Sequence, residues 1–173
     1  MTMEPTDIVI RPERAGDESA IERVTVAAFS CAPHAAGTEH LIVAALRAAG
    51  VLTVSLVAEI EDRIVGHVAV SPVTIGEVAR GWFGLGPISV EPERQGRGIG
   101  SGLMRAALAE LGRKGASGCV LVGEPAYYER FGFRSSPGLS YPGVPAQYLL
   151  ALPFDVAVPG GVVTFHPAFG VQA

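Results

Sequence analysis

The chain has 173 residues, a formal net charge of −4, and hydrophobic side chains at 49% of positions against 17% charged. That is the size and composition of one domain with a substantial core, and the acidic balance argues against nucleic acid as its main partner. The N-terminus, Met1 to Asp7, is polar and acidic rather than a secretory signal, and no apolar run reaches the ~18 residues of a membrane span. A cytoplasmic protein with reduced Cys31 and Cys119 is therefore expected. Neither cysteine has histidines at metal-ligand spacing, so no metal is expected.

In chain order, Ile8 to Ile10 reads as a short strand stopped by Pro12. Gly16 and Asp17 mark a helix start, and Ile21, Val24, Ala28 and Phe29 form its apolar face. Ser30 to Gly37 is a small-residue loop containing Pro33 and His34. Thr38 is suited to cap a second helix, with Leu41, Ala44, Ala45 and Ala48 on one side and Gly50 at its end. Leu52 to Ile60 and Ile64 to Val73 are strands joined by the turn Glu61-Asp62-Arg63, which makes a hairpin. His67 falls inside the second of these, where a packed residue is the ordinary expectation.

Trp82 to Val90 is a strand interrupted by Gly84, Gly86 and Pro87. Proline cannot donate to a ladder and glycine marks bulges, so a local break in pairing is predicted. Four glycines follow between Gly96 and Gly102. A helix then runs from about Gly98 to Lys114, with Ile99, Leu103, Ala107 and Leu111 at spacing four and Met104 and Leu108 beside them. A glycine-rich turn feeding a helix start offers unpaired N–H groups at the positive end of the helix dipole, a site for phosphate. Arg94 and Arg97 add charge. The spacing fits neither the dinucleotide nor the nucleoside-triphosphate glycine motif.

Cys119 to Gly123 is a continuous apolar run, consistent with a buried parallel strand reached by a right-handed crossover. Pro125 suits the first position of a short helix that Phe131-Gly132-Phe133 closes. Tyr148 to Leu152 and Val162 to Phe165 read as further strands of the same sheet. The Gly138 to Gln147 loop lies between turn-rich segments.

Gln95-Gly96-Arg97-Gly98-Ile99-Gly100 resembles the Q/R-x-x-G-x-G/A motif of the GNAT superfamily of acyl-CoA-dependent N-acetyltransferases. Leu85 to Val90 before it and Tyr127 to Phe133 after it resemble one bacterial branch of that superfamily. So does the opening strand ending in Arg, followed by Asp and a helix. The resemblance covers about residues 8–155 of the single domain 1–173. It implies an α/β (α+β) fold with a mixed central sheet of about six to seven strands flanked by helices, the fourth and fifth strands parallel and splayed. It further implies acetyl-CoA as cosubstrate and an amine acceptor, with no nucleic acid or membrane partner, and a monomer or homodimer.

By the same resemblance, Gln95, Gly96, Arg97, Gly98, Ile99, Gly100 and Ser101 would bind the pyrophosphate. Ile88, Ser89 and Val90 would bind the pantetheine arm in the splay. Tyr128, in a Tyr-x-x-x-Gly-Phe match, would protonate the departing thiolate, with Tyr127 as a packing aromatic. The loops Ser30 to Gly37 and Gly138 to Gln147 would wall the acceptor pocket. Many relatives carry a glutamate in the fourth strand as base, but Trp82 to Val90 contains none. Glu124 is the nearest substitute, with a charge at a helix start as its alternative role. Three functions stay open at this point: an N-acetyltransferase acting on a small molecule or peptide, an acyl-CoA-binding sensor or regulatory module without turnover, and an acyl-carrier or long-chain acyl-CoA acyltransferase.

Overall fold

The computed structural model describes residues 7–33, 35–77 and 80–171. His34 of the Ser30 to Gly37 loop, Val78 and Ala79 of the turn before Trp82, and most of the N-terminal stretch lie outside the described residues. Strands β1 (Ile8–Pro12), β2 (Val54–Ile60), β3 (Arg63–Pro72), β5 (Trp82–Val90), β6 (Gly118–Val122), β9 (Leu149–Pro153) and β7 (Arg134–Ser135) form one seven-stranded sheet in the order β1-β2-β3-β5-β6-β9-β7. Helices α1 (Glu18–Ser30), α2 (Glu39–Ala48), α3 (Ile99–Arg113) and the single turn α4 (Pro125–Tyr128) flank it. Only β5 and β6 pair in parallel within this sheet, and α3 is the crossover between them.

Two layers cover the sheet. On one face α3 buries Ile99, Leu103, Met104, Ala107 and Leu111 against Leu56, Val65, Val68 and Leu85. This is the face that the spacing of four predicts. Gly66 of β3 allows close approach there, since a Cβ at that position would meet Leu103 Cδ1 at 3.0 Å. On the other face α1 places Ile21 and Val24 against Val57, Ile64 and Ala69. Arg11 at the end of β1 holds the start of α1 by pairing with Asp17 at 2.7 Å and also with Glu59. The positive φ angles of Glu61 and Asp62 make the tight β2–β3 turn.

Helix α2 turns a different face inward from the predicted one. Ile42, Val43 and Leu46 are buried, while Ala44 and Ala48 are exposed. The reason lies far along the chain: Ala168 and Phe169, in the turn Pro167–Gly170, pack on Ile42 and Leu46. Thr38 precedes α2 but its side chain makes no capping bond. The strand expected at Val162 to Phe165 forms as β10 (Gly161–Thr164), yet it does not join the main sheet. It pairs antiparallel with β4 (Thr74–Ile75) and parallel with β8 (Leu139–Ser140), making a second three-stranded sheet. Strands of two residues leave no periodicity to read, which is why the partners were not foreseen.

His67 is fully buried, as a packed strand residue should be. Its Nε2 lies 2.8 Å from Ser55 Oγ, and Ser55 donates to Glu13. Burial holds its pKa down at about 4, with the Arg47 charge adding to the effect and Glu13 opposing it.

Candidate active site

The interruption in β5 has a clear structural result. Val68 pairs with Ile88 and Val70 with Leu85, so β5 carries one extra residue between these pairs, at the cis Gly86–Pro87 peptide. On its other side β5 pairs with β6 only at Trp82, Phe83 and Gly84. Beyond Gly84 the two parallel strands part. From Leu85 to Val90, β5 has no strand partner on the β6 side, and a gap opens toward the carboxyl ends of both strands. Ligands bind at such a place in open α/β sheets.

The glycine turn sits at the mouth of this gap on the α3 side. Pro92–Arg94 forms a 3-10 turn, and Gln95 Nε2 donates to the Val90 carbonyl at 3.1 Å, tying the turn to the end of β5. Gly96 and Gly98 have φ of 77° and 85°, left-handed values that side chains disfavour. Gly98 is the N-cap of α3, and the first capping bond runs from the Gly102 N–H to its carbonyl at 3.0 Å. The N–H groups of Ile99, Gly100 and Ser101 precede that bond and point out of the helix end.

A cleft of about 600 Å³ joins turn and gap, lined by Ile88, Val90, Gln95, Gly96, Gly98, Ile99, Gly100, Ser101 and Tyr128 among the residues singled out in the sequence. Arg94, Tyr127 and Arg130 line it too. Three of the sequence-derived site residues stand apart. The Ser89 side chain is buried, and the alternation of the strand turns it to the face opposite Ile88 and Val90. Arg97 lies outside, with Arg63, Glu91, Glu93 and Arg94 around a neighbouring hollow. Glu124 is exposed at the start of α4. Its carbonyl accepts from the Tyr127 and Tyr128 N–H groups, but its side chain makes no cap bond and does not reach the cleft.

Tyr128 is held from several sides. Its ring lies against Gly123, where a Cβ would come within 2.3 Å of Cε2, and packs edge-on to Phe133 and Tyr127. Burial raises its pKa, with the Tyr127 phenol contributing, so the hydroxyl keeps its proton through neutral pH. Tyr127 does more than pack. Its hydroxyl is 3.7 Å from where a Gly100 Cβ would lie, over the glycine turn, and Arg130 sits above its ring at 4.4 Å. The sequence signal for these two was weak: an adjacent tyrosine pair, and an arginine three residues on.

A sheet splayed between two parallel strands, with a glycine turn at the helix start beside the gap, defines the class of acyl-CoA-dependent transferases that the motif resembled. The particular family follows from comparison with known proteins. The model of the Acetyltransferase (GNAT) domain matches residues 52–135. The uncharacterized N-acetyltransferase YhbS of Escherichia coli (strain K12) is 33% identical over 138 residues, spanning 76% of this chain and 83% of the relative. The chain belongs to the GNAT acetyltransferase family.

Two solved structures are similar over nearly the whole length. A GNAT family acetyltransferase from Brucella melitensis in complex with acetyl-CoA shares 46% identity with a TM-score of 0.85, covering 95% of this chain and 99% of that one. Escherichia coli YhbS in complex with CoA shares 27% identity with a TM-score of 0.86, covering 100% and 97%.

Proposed function

We propose that this protein transfers the acetyl group of acetyl-CoA directly to a primary amine of a small molecule or peptide. The observation that carries the reading is the meeting, in one cleft, of the α3 glycine turn, the unpaired stretch of β5 and the protonated phenol of Tyr128. The two similar structures with acetyl-CoA and with CoA support it. The residues fit that cosubstrate: free N–H groups and glycines without side chains line the cleft, together with Arg94, which is also paired with Glu91 at 3.4 Å, and Arg130, whose Nε donates to the Tyr127 carbonyl.

Acetyl-CoA supplies the acetyl thioester; the rest is done by the chain. The N–H groups of Ile99, Gly100 and Ser101 hold pyrophosphate oxygens, with Arg94 and Arg130 adding charge. The backbone of Ile88 and Val90 pairs with the pantetheine amides, as a neighbouring strand would. A backbone N–H of β5 near Ile88 stabilises the charge that builds on the carbonyl oxygen. As the C–N bond forms and the C–S bond breaks, Tyr128 gives its proton to the thiolate and recovers one from solvent. Among the described residues no Asp or Glu lines the cleft, so the amine's proton passes to water, and the Glu124 charge serves the start of α4.

That missing carboxylate is what favours a second reading, a module that binds acyl-CoA without turnover. One experiment decides between them: free-thiol release from acetyl-CoA across a panel of amines, amino acids, polyamines and peptides, beside calorimetric titration of CoA. Thiol release that depends on an amine supports transfer. Binding without release under every condition refutes it.

A further inference from the structure

The cleft beside the glycine turn ends short of the point where the strands meet. On β5 its lining stops at Ile88, although β5 stays unpaired with β6 back to Leu85. Ile88 and Leu85 face the same way. They pair with Val68 and Val70 of β3, and both of those lie in the core beneath α3. The bulge at Gly86–Pro87 stands between them. Along this face the next β5 side chain inward from Ile88 is therefore Leu85.

Leu85 is 6% exposed and belongs to the same buried cluster as Leu121 and Phe133, with Tyr128 packed against that cluster. The Tyr128 ring stands edge-on to Phe133 with centroids 6.3 Å apart. A ligand arm lying along β5 from Val90 to Ile88 points its end at Leu85. Three residues of strand give at most about 10 Å between Ile88 and Leu85, and the bulge shortens it. Carbon contact takes about 3.5–4 Å of that at the leucine. What remains holds a thioester carbonyl and a short alkyl group. A longer chain must push Leu85 into a packed core, which is destabilising. A carboxylate at the end of the chain would lose water, and Leu85, Leu121 and Phe133 offer it no opposite charge.

We infer that Leu85 closes the acyl end of the splay and limits the donor to thioesters of short, uncharged acyl groups. Acetyl and propionyl fit in front of it; butyryl, longer chains and carboxylated chains do not. The inference rests on the reading that the pantetheine arm lies along Ile88 and Val90, and it names the class of acyl donor within that reading.

The test is calorimetric titration with CoA and with acetyl-, propionyl-, butyryl-, hexanoyl- and malonyl-CoA, which needs no acceptor. Wild-type protein should bind acetyl- and propionyl-CoA alike, and butyryl-, hexanoyl- and malonyl-CoA roughly tenfold or more weakly. Leu85→Ala should bind butyryl-CoA roughly tenfold more tightly than wild type does, since each methylene newly buried is worth about fourfold. Its affinity for CoA itself, which has no acyl group, should not move, and malonyl-CoA should stay weak. If a thermal melt shows Leu85→Ala unfolded, Leu85→Val, which removes one methylene, should admit butyryl-CoA and still exclude hexanoyl-CoA. Hexanoyl-CoA bound by wild type as tightly as acetyl-CoA would overturn the inference and leave the coenzyme A reading standing. So would folded variants that lose affinity equally for CoA and for every acyl-CoA. Failure of wild type to bind CoA in any form would overturn both.

Discussion

Two glycines of the turn look interchangeable as probes of phosphate binding, and the structure separates them. Gly100 is in helical conformation at the second residue of α3. Its Cβ position is 3.7 Å from Tyr127 Oη and 3.8 Å from Val90 Cγ2, ordinary contact distances within the cleft lining. The Cβ that Gly100→Val adds therefore meets no clash in the free protein, and valine is a slightly better helix former than glycine, by a few tenths of ~1 kcal/mol. Its methyl groups project into the space where a phosphate would approach the N–H groups. Losing two charge-assisted hydrogen bonds at about 1.5–3 kcal/mol each would weaken CoA binding by roughly 10²–10⁴-fold.

Gly98, at φ 85°, is different: a branched side chain there adds about 1–2 kcal/mol of backbone strain, so a loss of binding would be mixed with a loss of stability. The assay is calorimetric titration of CoA with a thermal melt of each free variant. Gly100→Val should melt at or slightly above the wild-type temperature and bind poorly. Wild-type affinity in a folded Gly100→Val would show that the turn is a connector and nothing more.

Other outcomes follow from the same geometry. CoA or acetyl-CoA at about 100 times Kd should stabilise the protein by about 2.7 kcal/mol, a melting shift of roughly 5–10 °C, while NAD and ATP shift it far less; equal shifts with all three would remove the coenzyme A assignment. Tyr128→Phe should lower kcat by about 10²-fold with little change in acetyl-CoA affinity, whereas Tyr127→Phe, whose hydroxyl overhangs Gly100, should change affinity rather than kcat; full kcat in Tyr128→Phe rules out the general acid. His67, held neutral with its pKa near 4, contributes stability that is fully present above its unfolded pKa of about 6.5 and is lost as pH falls toward 4. Urea midpoints should therefore drop between pH 7 and pH 5, by the equivalent of roughly 2 kcal/mol, and His67→Gln should lose that slope. A flat wild-type profile over that range would contradict the burial argument.

The stretch from β5 to β6 was legible in the sequence because its physics is local. Proline and glycine break a ladder wherever they stand, a helix start exposes its N–H groups by construction, and the spacing of Ile99, Leu103, Ala107 and Leu111 admits one buried face. Helix α2 was not legible for an equally physical reason. Leu41, Ile42, Val43, Ala44, Ala45 and Leu46 are apolar nearly all round, so two stripes compete, and the choice falls to Ala168 and Phe169 more than a hundred residues later. Of the two arginines that the sequence placed beside the turn, Arg94 lines the cleft and Arg97 does not, and Arg130 was not foreseen. The 3-10 turn at Pro92–Arg94 brings Arg94 in, and the stacking of Arg130 on Tyr127 brings in an arginine with no motif around it, while Arg97 turns outward.

This division between local and distant determinants runs through the gap itself. Its α3-side mouth is built from two short runs, Ile88 to Ser101 and Tyr127 to Arg130, and the elements between them follow one another in the chain. A motif can therefore carry it, and a cosubstrate common to a family can be recognised from sequence. The opposite face of β5 at Gly84 is instead closed by Phe165, which packs on Tyr141 and Phe169, residues of separate segments beside the small sheet of β4, β8 and β10. No spacing rule links those residues. Changes in any one of these segments can alter that packing without touching the glycine turn.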